Sequence, residues 1–375
     1  MIVLDRSTKI GLSFLFLLLF AGAAKAQTDV IDFESGRWVF LGSDTKVESY
    51  LGEKSLTGRA YLEGVEFENG TIEWDMAVEG SQAYAGIYFR MQSEADHELF
   101  YLRPQATDKF DALQYMPQFN GLEAWQLYSG DGFTAEAAIP FKRWFHVKME
   151  VSGKQARVYL DNSDEPALVI DDLKHGVSKG SIGPWSYGSG LAQSVHFANF
   201  RYSEDNGISF EAAPEPKTPA GMITGWQLSQ VFEANGIDTE LSLDSQKVST
   251  IAWQAISSES SGLVNIARFR KHPGKSYVLA RTLIRSGKEQ VKKLNFGYSD
   301  RINIFLNGKI LFNGNSQFRS RDPGFLGIVG LNDAVFLDLK KGDNELVLMV
   351  FEAYGGWGYI GRLEDMEGLE LQSAD

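Results

Sequence analysis

The sequence predicts an all-β protein: two antiparallel β-sandwich (jelly-roll) domains behind a cleaved signal peptide. Three observations carry this expectation. Short runs of alternating apolar and polar residues recur along the chain, and a period of two belongs to pleated strands with one inward face. Turn residues separate the runs, as in Glu68-Asn69-Gly70, Ser152-Gly153 and Asp161-Asn162-Ser163. Almost no stretch sustains a helical period, and a proline-rich segment divides the chain.

Residues 1–26 read as the signal peptide. Arg6 and Lys9 precede an apolar run, IGLSFLFLLLFAG, and Ala24-Lys25-Ala26 is a small-residue cleavage signature before Gln27. That run is short for a membrane span, and an uncleaved anchor is the alternative. The expected location is therefore periplasmic or extracellular, with no membrane span. The chain has no cysteine, which excludes thiolate metal sites and a cysteine nucleophile. A net charge of −13 with no basic patch argues against nucleic acid as a partner, because phosphate neutralisation supplies most of that affinity.

The first domain is expected over 27–204. Strand-like runs cover Gly70–Val78, Ala85–Met91, Glu98–Arg103, Phe145–Val151 and Ala156–Leu160. In the last two, Val147, Met149 and Val151 alternate with His146, Lys148 and Glu150, and Ser152-Gly153 turns the chain into a hairpin. His146 reads as a hydrogen-bonded edge residue or a ligand. The segments FENGTIEWDMAV (67–78), AGIYFRM (85–91), RWFHVKMEVSGKQARVYLDN (143–162) and VHFANFRY (195–202) resemble the concanavalin A-like, laminin-G-type sandwich. More narrowly they resemble the bacterial family-16-glycoside-hydrolase-like or 3-keto-disaccharide hydrolase domains. The resemblance implies a fold that hosts lectins, hydrolases and interaction modules alike.

Residues 205–221 are expected to be a linker, with Pro214, Pro216 and Pro219 among acidic residues. The second domain is expected over 222–375. Asp300-Arg301-Ile302-Asn303-Ile304-Phe305-Leu306 runs into Asn307-Gly308 and then Lys309–Phe312. Asn-Gly is the preferred pair for a tight hairpin turn with two positive φ angles. Together with LKKGDNELVLMV (339–350), this resembles the galactose-binding-like jelly roll found as a sugar-binding module.

No catalytic residue is assigned. Glu73-Trp74-Asp75-Met76-Ala77-Val78-Glu79 resembles the family-16 carboxylate strand, but Ala77 stands on the face where its third carboxylate is needed. No metal ligand set follows from spacing. A structural Ca²⁺ is the only cofactor entertained, with Asp108, Asp111, Asp161 and Asp164 as loop candidates. The residues expected to bind ligand are Tyr88, Arg90, Tyr101, Arg103, Gln114, Tyr115, Asn120, Gln126 and Tyr128, with Trp357 in the second domain. Flat rings stack on sugar C–H faces, while amide and guanidinium groups bond hydroxyl pairs. Arg90 and Arg103 would sit either in a ligand groove or in an internal salt-bridge network with Glu98, Asp111 or Glu123. Trp125 is expected to pack inward. Tyr354, Trp357 and Tyr359 would form a stacking platform or fill the end of the jelly roll. The expected function is carbohydrate binding by an exported protein. The alternatives are a glycoside hydrolase or lyase, and a protein-binding structural module. The oligomeric state is not legible.

Overall fold

The computed structural model describes residues 29–371 apart from 81, 188–193, 235–242, 244–247 and 273; the expected signal peptide lies outside the described residues. The first half contains β1 (Trp38–Tyr50), β2 (Glu53–Leu62), β3 (Gly70–Val78), β4 (Ala85–Ser93), β5 (Asp96–Leu102) and β6 (Leu113–Gln118). It continues with β7 (Thr134–Ala135), β8 (Trp144–Ser152), β9 (Gln155–Leu160), β10 (Leu168–Ile170), β11 (Ser181–Ser186) and β12 (Val195–Glu204). These strands form a seven-stranded sheet, β1-β2-β12-β3-β8-β9-β10, facing a five-stranded one, β11-β4-β5-β6-β7. All pairings are antiparallel.

Alternation sets which side chains make the core. On β8, Val147, Met149 and Val151 are buried while His146, Lys148 and Glu150 face outward. On β3, Ile72, Trp74, Met76 and Val78 enter the same core, where they meet Ile87, Phe89, Phe100, Leu102 and Tyr115 from the opposing sheet. The five-stranded sheet is buried on its other face too. Tyr88, Met91, Leu99, Tyr101 and Met116 pack there with Ala124, Leu127, Tyr128 and Leu263. A covered face needs no solvating lysine or glutamate, which explains why residues 84–128, rich in Tyr, Gln and Arg, carry few of either.

One irregularity redirects a side chain. The β4–β5 register shifts between Phe89 and Ser93, and Arg90 takes φ +49°. This β-bulge breaks the period of two. Met91 thereby joins Tyr88 on the outer face, and Arg90 turns beneath the loops at 68–69, 153 and 176.

The second half contains β13 (Gly225–Leu228), β14 (Phe232–Glu233), β15 (Gln254–Ser257), β16 (Val264–Asn265), β17 (Ser276–Ser286) and β18 (Gln290–Tyr298). It continues with β19 (Asp300–Leu306), β20 (Lys309–Ser316), β21 (Asp333–Leu339), β22 (Gly342–Glu352), β23 (Gly358–Leu363) and β24 (Leu369–Leu371). One sheet runs β15-β13-β17-β22-β19-β20, with β14 and β24 also on β17; the other runs β16-β23-β18-β21. Between them lie Trp226, Phe296, Ile302, Leu348, Trp357 and Tyr359. Asn307 and Gly308 have φ of +50° and +80°, the turn that their sequence predicts.

The halves are joined through 120–128. Asn120 Nδ2 donates to Ala267 O at 2.8 Å, and Gln126 Nε2 donates to Leu326 O at 2.8 Å. Gln126 also bonds Gly355 and Val329 through its backbone. Tyr128 Oη donates to Glu259 Oε1 at 2.5 Å, and Lys174 Nζ lies 2.7 Å from Glu259 Oε2. Gly355 has φ +91°, and a Cβ there would meet Gln126 Oε1 at 2.6 Å, so the close backbone approach requires glycine.

Candidate functional site: an aromatic cleft between the two sandwiches

Where the outer face of β4–β6 is left uncovered, a cleft of about 460 Å³ opens between the halves. Its floor is a fixed polar network. Arg103 follows β5 and donates through Nη2 to Tyr101 Oη at 2.7 Å and to Gln114 Oε1, and through Nη1 to Asp111 O at 2.8 Å. Gln114 Nε2 in turn donates to the carbonyls of Trp125 and Tyr128, at 3.1 and 2.8 Å. The guanidinium is thus held by neighbours on three sides and only 8% of Arg103 is exposed. Rigid support of this kind fixes the positions of the groups that face the cleft.

The walls are aromatic. On one side Trp185 lies 5.4 Å from Tyr101 and 6.2 Å from Tyr187, and Tyr84 is 6.1 Å from Tyr187. On the other, Trp125 meets Phe318 and Tyr354 of the second half edge-on, at 6.1 and 6.0 Å. Glu123 also lines the cleft. Burial pushes its carboxyl above the usual range, against the opposing pull of Arg103.

Three of the residues expected to bind ligand meet here: Tyr101, Arg103 and Gln114. The others are elsewhere. Arg90 is fully buried, its Nε and Nη2 on Glu68 O at 2.8 and 2.7 Å, Nη2 also on Gly153 O at 2.7 Å, and Nη1 on Gly176 O at 2.8 Å. The expected face shared by Arg90 and Arg103 therefore does not exist, because the bulge separates them. Tyr88 is buried against His97. Tyr115 points into the first core, where its hydroxyl donates to Glu98 Oε2 at 2.6 Å. Asn120, Gln126 and Tyr128 hold the seam. Trp357 is fully buried in the second core with Nε1 on Val350 O. Trp125, expected inside, is a cleft wall. Tyr84, Trp185, Tyr187 and Phe318 come from separate regions of the chain, and no local pattern marked them.

The carboxylate strand behaves as a structural network. Glu73 and Asp75 face outward on β3. His146 Nδ1 lies 2.8 Å from Asp75 Oδ1 and Nε2 lies 3.3 Å from Glu73 Oε1, with Arg201 also on Glu73 at 3.1 Å. The hydrogen bond from His146, then Arg201, takes Glu73 down to about 2, against burial. Bonding to Asp75 and then Glu73 takes His146 up to about 9. The lowered acid stabilises the fold above its ordinary value of 4.5 and loses that contribution as pH falls through about 2. The raised histidine stabilises below 6.5 and loses its contribution as pH rises through about 9. The network should therefore contribute most between these limits. Thermal unfolding across pH should show the alkaline loss shrinking in His146→Gln; an unchanged alkaline limb would refute this.

Among the described residues no group of three or more His, Asp or Glu is arranged to hold a metal ion. Of the calcium candidates, Asp161 pairs with Arg143 at 2.6 Å and Asp111 lies 3.9 Å from Arg103.

No family model matches the sequence, and no curated protein matches it. Similar solved structures include the carbohydrate-binding module CBM66 from Bacillus subtilis, at 16% identity over 44% of this chain and 94% of that one, with a TM-score of 0.33. A Bacillus subtilis protein of unknown function with a galectin-like fold has 10% identity over 44% and 89%, with a TM-score of 0.34. Mouse laminin alpha1 domains LG4-5 have 11% identity over 94% and 99%, with a TM-score of 0.27. Likeness at this level carries no inference about ligand or reaction.

Proposed function

We propose that the chain is an exported protein of two β-sandwich domains, divided near 205–221, that binds a carbohydrate in the cleft between them. One observation carries the reading: aromatic walls from both halves flank a polar floor bearing Arg103 and Glu123 across a cavity of about 460 Å³. That volume falls within the ~300–1,000 Å³ of small-ligand sites. Rings suit the C–H faces of a sugar, and carboxylate and hydroxyl groups between them suit its hydroxyls. A simple apolar ligand would leave Glu123 buried and unpaired, which costs free energy.

Glu123 also supports a second reading. A carboxyl held above its ordinary range is suited to general-acid work, and Asp111 lines the same cleft. A glycan array with the chain from Gln27 onward separates these readings. Binding without product points to recognition; release of sugar products, lost in Glu123→Gln, points to a hydrolase. For recognition, Glu123→Gln should weaken the best-bound glycan by roughly tenfold, the scale of one hydrogen bond to a charged group. Failure of the wild type to bind any glycan would overturn the proposal.

A further inference from the structure

A pair of buried carboxylates in the second half sits behind one wall of the cleft. Ser276 on β17 is the register partner of Glu352 on β22, and Arg301↔Phe351 places Asp300 on β19 beside Glu352. The three thus lie on neighbouring strands at one end of the sheet. Asp300 is 1% exposed and Glu352 5%. Asp300 Oδ2 accepts the backbone N–H groups of Ala353 and Tyr354 at 2.6 and 3.1 Å. Asp300 therefore caps the start of the loop 353–357, with the Glu352 carboxyl beside it. Asp300 Oδ1, Glu352 Oε2 and Ser276 Oγ beside them have no hydrogen-bond partner. Two buried carboxylates on neighbouring strands, with these oxygens unpaired, cannot both carry a charge without a large penalty, so the pair is stable only when one of them holds a proton.

The capped loop reaches the cleft. Tyr354 lines it and meets Trp125 at 6.0 Å, and Gly355 O receives Gln126 N at 3.0 Å. We propose that Asp300 and Glu352 share one proton and form a latch on this loop, which a rise in pH releases, freeing Tyr354 from the cleft wall. Among the described residues, the charged and titratable groups around the pair are Arg301 and Lys275, which with Gln317 line an adjoining cavity of about 390 Å³, His272, which faces the Glu352 backbone, and Glu233 on β14, the register partner of Ser276. Burial opposes ionisation of Asp300, while the N–H groups of Ala353 and Tyr354, and then Arg301, favour it. Burial, and then the charge on Asp300, push Glu352 above the usual range to about 9. The latched state holds a proton that an exposed glutamate, with its ordinary value of 4.5, has lost. Closure is therefore strongest in acid and weakens as pH rises through the raised value.

The inference rests on reading the cleft as the ligand site only for its consequence, and its test needs no ligand. Hydrogen exchange is followed in the full chain from pH 6 to 10 and corrected for the intrinsic rate. In the wild type, protection of the Ala353 and Tyr354 amides should fall at least tenfold across this range. In Glu352→Gln, whose neutral amide removes the titrating group and can donate to Asp300, protection should stay flat. Asp300→Asn, which tolerates φ +52°, serves as the second variant. A pH-independent wild type, or the same profile in the wild type and both variants, would overturn the latch. So would protection of the wild-type loop at pH 7 by millimolar Ca²⁺ that Glu352→Gln abolishes, since the pair would then hold a cation. A failed glycan array leaves this result standing, and a failed latch leaves the array standing.

Discussion

Replacing Arg90 with methionine should destabilise the first sandwich by about 3 kcal/mol or more, and this loss should occur with no ligand present. The side chain is fully buried and satisfies the carbonyls of Glu68, Gly153 and Gly176. Methionine approximates the volume but leaves three acceptors without a donor, each costing about 1–3 kcal/mol. Lysine should not rescue: its compact ammonium cannot span three carbonyls that the planar guanidinium reaches together. The cost falls on loops that join different parts of the sandwich, because Gly153 closes the β8–β9 hairpin and Gly176 lies before β11. Chemical denaturation of the wild type, Arg90→Met and Arg90→Lys gives the comparison. An unchanged denaturation midpoint in Arg90→Met would sink the structural assignment.

Removing the indole of Trp125 should weaken the best glycan roughly 30-fold, or about 2 kcal/mol, the scale of a buried aromatic anchor. Trp125 holds its wall together across the two halves, since Phe318 and Tyr354 both rest edge-on against it. Alanine removes one stacking surface and leaves the other two without support. The local backbone should persist, because it is held by groups other than the indole. Gln126 is bonded to Gly355 and Leu326, Tyr128 to Glu259, and the Trp125 carbonyl to Gln114. Isothermal titration of Trp125→Ala against Trp125→Phe isolates the effect. Phenylalanine should recover part of the affinity. Equal affinity for the wild type and Trp125→Ala would place the ligand outside the cleft.

Strand placement was legible because it depends on local pattern. β3 matches its expected bounds, and β8 and β9 extend them by a residue at one or both ends. The site was legible only in part, for two physical reasons. A run rich in tyrosine, glutamine and arginine but poor in lysine and glutamate has the composition of a ligand face and equally of a covered interface. Asn120, Gln126 and Tyr128 belong to the second kind. The bulge at Arg90 then inverted the alternation that had assigned this residue to the same face as Tyr88.

The sequence by itself determined the all-β class, the strand alternation and the tight turn at Asn307-Gly308, since each follows from neighbours along the chain. It also marked Tyr101 on β5, Arg103 just after it and Gln114 on the adjacent β6, which meet on one side of the sheet. Only the tertiary structure decided what lies opposite that face. Phe318 and Tyr354 stand some two hundred residues beyond it in the chain, and they reach Trp125 only because residues 120–128 dock the second half onto the first. Asp300 and Glu352 likewise become a pair only where β19 meets β22. A cleft between packed sheets and a proton shared across strands are properties of contact in space, which no period along the chain encodes.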